Sequence, residues 1–169
     1  MLIRPEQPED FDSIDKIVAA AFGQSDEAEL VRRLRASDCY VPELTLVAED
    51  EGEIVGHIML SYVGLDGDRV LSLAPLAVKP GRQRTGAGIE LTRAALEAAD
   101  ERGAPLVIVL GHAEYYPRFG FEPARQHGIE PPDPQIPDEV FMVVRLRAYD
   151  PRFRGRVTYP PAFDEPSRA

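Results

Sequence analysis

The sequence contains no tryptophan, no asparagine and a single cysteine, Cys39. One thiol excludes an internal disulfide and fits a reducing compartment. Its neighbours Ser37, Asp38 and Tyr40 offer no cation to stabilise a thiolate, so Cys39 reads as a structural residue rather than a nucleophile. Long apolar runs are missing as well. None approaches the ~18 residues that span a bilayer, and no basic-then-apolar leader opens the chain. The expectation is a cytoplasmic protein without a membrane partner. Positive charge is scarce: 19 Lys and Arg against 29 Asp and Glu leave a formal net charge of −10. A nucleic-acid-binding face would need the opposite balance to neutralise phosphates, so no nucleic-acid partner is expected. An acidic surface serves solubility and is compatible with a cationic acceptor such as an amine.

What is present is an ordinary globular composition, 44% apolar and 28% charged over 169 residues, enough for one domain with one sizeable core. Leu2–Pro5 reads as a short strand. Phe11, Ile14, Ile17, Val18 and Phe22 recur at helical spacing, and Gly23 closes that helix. Ser25 is placed to cap a second helix carrying Ala28, Leu30, Val31 and Leu34. The apolar runs 44–48, 54–63 and 70–78, separated by acidic and Gly-bearing turns, form a three-stranded meander. Residues 86–102 follow as an amphipathic helix, then Leu106–Leu110 as a strand buried on both faces. Residues 113–119 fit one or two helical turns, Phe121 starts a short strand, and the Pro-rich Glu122–Asp138 is an ordered loop. Val140–Leu146 is a last clear strand, and the tail over 148–169 packs on the domain with an extra strand at Arg156–Tyr159.

The informative segment runs from Leu76-Ala77-Val78, through a polar turn, into the helix at Gly86-Ala87-Gly88. Glycines at a helix start leave backbone N–H groups open to an anion at the positive end of the helix dipole, and Arg82 and Arg84 add charged donors. A bare Gly-x-Gly with solvated arginines is equally a plain helix start, so the flanking residues decide. A Walker A loop requires Lys after its last Gly, and none is present. A dinucleotide fingerprint requires a third Gly where Leu91 stands, early in a βαβ unit rather than after a meander. The coenzyme A pyrophosphate turn, Gln/Arg-x-x-Gly-x-Gly/Ala, is met at every specified position by Gln83-Arg84-Thr85-Gly86-Ala87-Gly88.

With that turn, the Val107–Gly111 strand and Tyr115-Tyr116-Pro117-Arg118-Phe119-Gly120-Phe121, the chain resembles the GNAT superfamily of acyl-CoA N-acyltransferases. Val47-Ala48, Val55-Gly56-His57-Ile58 and Tyr159–Phe163 make it similar to the YhbS-like branch in particular. The resemblance spans nearly the whole chain. It implies an α/β (α+β) fold with a mixed, mostly antiparallel sheet, splayed fourth and fifth strands, and helices on both faces.

It also implies acetyl-CoA as cofactor, with backbone groups of Leu76, Ala77 and Val78 on the pantetheine and Gln83, Arg84, Thr85, Gly86, Ala87 and Gly88 on the pyrophosphate. The N–H of Leu76 would polarise the thioester carbonyl. An amine of a small molecule or peptide attacks directly, and Tyr116, four residues before Gly120, matches the tyrosine that protonates the departing thiolate. A phenol of pKa about 10 is protonated near neutrality and able to serve. Tyr115 is assigned packing. An alkylammonium is only about a thousandth neutral at pH 7, so a base or water chain is needed. His112 is a candidate by position, although an acidic residue is the commoner pattern there. His57 reads as a strand residue facing a polar neighbour. The asparagine that many relatives place near pantetheine has no counterpart. The first two helices and Glu122–Asp138 are expected to shape the acceptor site, and the long tail offers a surface for a homodimer. A longer acyl-CoA or acyl carrier protein donor, and a non-catalytic CoA-binding regulator, are the competing readings.

Overall fold

In a computed structural model describing residues 1–164, the hydrophobic periodicities resolve into a sheet clad on both faces. The elements are β1 (Leu2–Pro5), α1 (Phe11–Phe22), α2 (Asp26–Arg35), β2 (Tyr40–Asp50), β3 (Glu53–Leu65), β4 (Asp68–Val78), α3 (Ala87–Glu101), β5 (Leu106–Leu110), β6 (Glu122–Pro123), β7 (Ile129–Glu130), β8 (Phe141–Arg145) and β9 (Gly155–Thr158). Hydrogen-bonded neighbours run β1-β2-β3-β4-β5-β8-β6. The pairing is antiparallel throughout this path except between β4 and β5, which are parallel and joined through α3. The expected tail strand is β9, which pairs with β7 and extends the far end of β3. Residues 165–169 of the expected tail lie outside the described residues.

Two boundaries move for local reasons. The strand expected from Leu44 begins at Tyr40, because a register shift between Tyr40 and Thr45 accommodates Pro42, which cannot donate to the ladder. Glu122–Asp138 is not all loop: it holds β6, a helical turn at Ala124–His127 and β7. Ser25 occupies the residue before α2, but its side chain makes no capping bond. Helix α2 instead carries Asp26, Glu27 and Glu29 in its first turn and Arg32, Arg33 and Arg35 in its last, matching the helix dipole.

Helix α3 lays Leu91, Ala95 and Ala99 on one face of the sheet against Val55, Leu73, Val107 and Val109. The approach is close at Gly56, where a Cβ would fall 2.8 Å from Leu91 Cδ1. On the other face α1 buries Ile14, Ile17 and Val18 against Val47 and Ala77, and α2 buries Val31 and Leu34 against Cys39 and Met59. Leu106 and Ile108 point away from α3, onto Ile129, Phe141, Phe153 and Val157. β5 is thus buried on both faces, as its unbroken apolar run requires.

Candidate functional site

Parallel pairing between β4 and β5 extends only from Leu71 opposite Val107 to Leu73 opposite Val109. β4 continues to Val78 along β3, and β5 continues to Leu110 along β8, without further pairing between them. The strands therefore diverge, and Leu110 at the end of β5 is left 48% exposed. A cavity of about 700 Å³ opens in the gap, walled by Leu73–Val78, the Gln83–Gly88 turn, Leu110–His112, Tyr115, Tyr116 and Arg118, with residues of α1 and α2 at its other end.

Backbone alternation decides what β4 presents there. The Lys79 N–H donates to the Val55 carbonyl at 2.8 Å, toward β3. Alternation then directs the backbone groups of Ala77 to β3, opposite His57, and those of Val78 and Leu76 into the gap. The Val78 carbonyl confirms the sense, since it faces the Gln83 side-chain amide at 3.5 Å. Leu76 thus turns a free backbone donor and acceptor to the cavity wall, and Val78 a free N–H. Ala77, expected to contribute backbone as well, spends it on β3 and lends the wall only its methyl group.

The turn ends in Gly86 at φ +94°, a conformation side chains rarely adopt, with nothing within 4 Å of where its Cβ would be. The first bond of α3 is from the Glu90 N–H to the Gly86 carbonyl. The amides of Ala87, Gly88 and Ile89 precede it, so the helix provides no carbonyl for them. Gln83, Arg84, Gly86 and Gly88 line the cavity; Thr85 and the buried Ala87 do not, and the Thr85 hydroxyl turns back to the Arg82 carbonyl. Arg82 also departs from expectation, being paired with Asp50 at 2.8 Å. In its place stands Arg118, which lines the cavity, stacks over the Tyr115 ring at 4.6 Å and donates to the Tyr115 carbonyl.

The two adjacent tyrosines part company. Their rings are perpendicular, with centroids 5.0 Å apart. Tyr116 is 6% exposed, with its ring over Gly111 and edge-on to Phe121, and it still reaches the cavity wall. Burial, and secondarily Tyr115 beside it, raises its pKa well above the ordinary phenol value, so its proton is retained. Tyr115 packs against Tyr116 and Phe119, as expected, and leaves one polar group unpaired. Its hydroxyl is buried, has no hydrogen-bond partner and faces Gly88. The sequence signal for it was the doubled tyrosine, which periodicity cannot divide into two roles.

His112 is exposed on the cavity rim. His57 is fully buried and pairs through Nε2 with Glu6 Oε1 at 3.1 Å, the polar neighbour expected of it. Ala21 and Phe22 of α1 and Glu27 and Leu30 of α2 also line the cavity. Glu122–Asp138 does not line it, because that segment covers the face of β5 and β8 turned away from α3. Among the described residues no group of three or more His, Cys, Asp or Glu is arranged to hold a metal ion, and no helix is long and apolar enough to cross a membrane.

A parallel pair splayed beside a glycine turn, after an antiparallel meander, defines an acyl-CoA-dependent transferase. The acetyltransferase (GNAT) domain family model matches residues 2–124. The chain belongs to this family of acetyl-CoA-dependent N-acetyltransferases. It is 42% identical to the uncharacterized N-acetyltransferase YjhQ of Escherichia coli over 77% of this chain and 74% of that protein. Its fold is similar to that of the N-acetyltransferase YhbS of Escherichia coli, solved in complex with CoA, with a TM-score of 0.87 and 33% identity over 96% of this chain and 91% of the other. A GNAT family acetyltransferase from Brucella melitensis, solved with acetyl-CoA, gives a TM-score of 0.80 and 32% identity over 96% and 97%.

Proposed function

We propose that this cavity carries acetyl transfer from acetyl-CoA to a primary amine by direct attack within a ternary complex, residues 1–164 acting as one acyltransferase unit. The observation that carries the reading is the end of the β4–β5 ladder at Leu73, which leaves Leu76 and Val78 facing a cavity closed by the glycine turn. The family resemblance and the CoA complexes of the relatives support it.

The residues fit the cofactor. Free amides at the start of α3, with Arg84 and Arg118, suit a pyrophosphate; the free backbone of Leu76 and the N–H of Val78 suit pantetheine amides; and the orphaned Tyr115 hydroxyl is a donor lacking an acceptor. Acetyl-CoA supplies the activated acyl thioester. The Leu76 N–H is the donor for the carbonyl oxygen as negative charge develops on it. A carbon–nitrogen bond forms and the carbon–sulfur bond breaks; the amine passes its proton to solvent water in the open cavity, Tyr116 donates one to the thiolate, and Tyr116 then recovers a proton from that water. Burial of Tyr116 keeps its hydroxyl protonated near neutrality, the form that can donate to the sulfur.

Thermal unfolding with and without acetyl-CoA tests the reading. At a hundred-fold excess over Kd the native state gains about 2.7 kcal/mol, which raises Tm by roughly 5–10 °C for a chain of this size. An unchanged transition at millimolar acetyl-CoA would refute the cofactor site.

A further inference from the structure

The charges lining the cavity are divided between its ends. Arg84 and Arg118 stand beside the glycine turn, while Glu27, from the first turn of α2, supplies a carboxylate at the other end and is the only acidic residue on the wall among the described residues. Glu27 has no cationic partner there. The arginines of its own helix are committed elsewhere, Arg32 to Asp15, Arg33 to Glu29 and Arg35 to Glu6. Among the described residues its carboxylate accepts hydrogen bonds from the Gln24 amide alone, at 2.6 and 3.1 Å to its two oxygens.

The cavity also has apolar walls. Among the described residues the exposed large hydrophobic side chains are Met1, Leu2, Phe22 and Leu110. The last two, 43% and 48% exposed, both line this cavity, Phe22 from the end of α1 and Leu110 from the end of β5. Exposed apolar side chains lining the same cavity as an unpaired carboxylate suit a cation that carries a hydrophobic body.

We propose that the acceptor is an apolar primary amine without a carboxylate of its own, selected by Glu27 and by the Phe22 and Leu110 side chains. This assignment rests on the acetyl-CoA reading above. Glu27 attracts the ammonium form into the cavity and repels an acceptor whose amine has a carboxylate beside it. The walls that Phe22 and Leu110 expose cover the hydrocarbon.

2-Phenylethylamine and L-phenylalanine differ only in the carboxylate and make the test, with CoA thiol release followed for each and acetyl-CoA binding measured by calorimetry. The expected result is turnover of 2-phenylethylamine with kcat/KM at least ~10²-fold above that of phenylalanine. Glu27→Gln should shrink that ratio at least ~10-fold while acetyl-CoA affinity is unchanged. In the absence of turnover, calorimetry on the CoA complex should still show 2-phenylethylamine binding that Glu27→Gln weakens. Phenylalanine used as well as the amine, a ratio unmoved by Glu27→Gln, or an acetyl-CoA-binding protein that neither binds nor acetylates 2-phenylethylamine would each overturn the acceptor assignment alone. Failure of the wild type to bind acetyl-CoA would overturn the cofactor reading and this one with it.

Discussion

The hydroxyl of Tyr115 stands 3.1 Å from the point a Cβ on Gly88 would occupy, against the first turn of α3. Next to it in sequence, Tyr116 turns its ring perpendicular and packs on Gly111 and Phe121. One tyrosine therefore addresses the start of the helix, and the other packs beside the end of β5 on the cavity wall.

Substituting each hydroxyl separates binding from chemistry. Tyr116→Phe is expected to lower kcat by roughly 10²–10⁴-fold, the usual worth of a positioned general acid, with CoA affinity retained. Tyr115→Phe is expected to weaken CoA binding by about 0.5–1.5 kcal/mol, the net value of one hydrogen bond. Calorimetry together with single-turnover kinetics checks both, and a Tyr116→Phe enzyme of full kcat would return that residue to packing.

The turn yields a contrast between two arginines. Arg84→Ala should cost about 1–3 kcal/mol of CoA affinity through loss of a charge-assisted bond. Arg82→Ala should cost little, because Arg82 is already engaged with Asp50. Gly88→Val should abolish binding, since the side chain would fill the space between the α3 amides and the Tyr115 hydroxyl. Titration of CoA into the three variants gives the ranking, and equal losses for both arginines would contradict it.

Gly56 is a test of packing rather than chemistry. Its added Cβ would lie 2.8 Å from Leu91 Cδ1 and 3.3 Å from the Ala77 carbonyl oxygen. Gly56→Ala is expected to destabilise the fold by about 1–3 kcal/mol, the usual cost of overpacking. Urea unfolding at constant m-value is the measurement.

Acid should destabilise the protein in two stages. His57 is buried and its pKa is lowered below the ordinary 6.5, chiefly by desolvation, which outweighs the pull of Glu6. Below about pH 6.5 the unfolded chain therefore takes up a proton that the folded chain refuses, and stability falls as pH falls. Glu6 is opposed first by burial, which would raise its pKa. Hydrogen bonds from Arg35, His57 and Tyr40 overcome that and hold it at about 2, below the ordinary 4.5. Its contribution is complete above pH 4.5 and disappears between there and about 2. Melting temperature should thus decline from about pH 6.5 downward and fall again below 4.5. His57→Gln should remove the upper stage, and an unaltered profile in that variant would show that other groups set it.

Element order and the glycine turn were legible along the chain because both depend on neighbours in sequence. Helical spacing in α1 and α3, the unbroken apolar run of β5 and the Gln83–Gly88 pattern each report short-range requirements: a buried stripe, two covered faces, or backbone open to an anion. Pairwise commitments between distant residues decided the rest. Arg82 and Arg84 look alike in sequence, yet Asp50 on β2 takes the first and leaves the second on the cavity wall. Ala77 differs from Leu76 and Val78 only through the alternation of the antiparallel ladder with β3. Glu27 was one carboxylate among 29 acidic residues until the folding of α2 and the salt bridges of its arginines left it facing the cavity without a cation. Local pattern determines which segments become helix, strand and turn; tertiary pairing uses up some of their charges and hydrogen bonds, and the groups left over make the site.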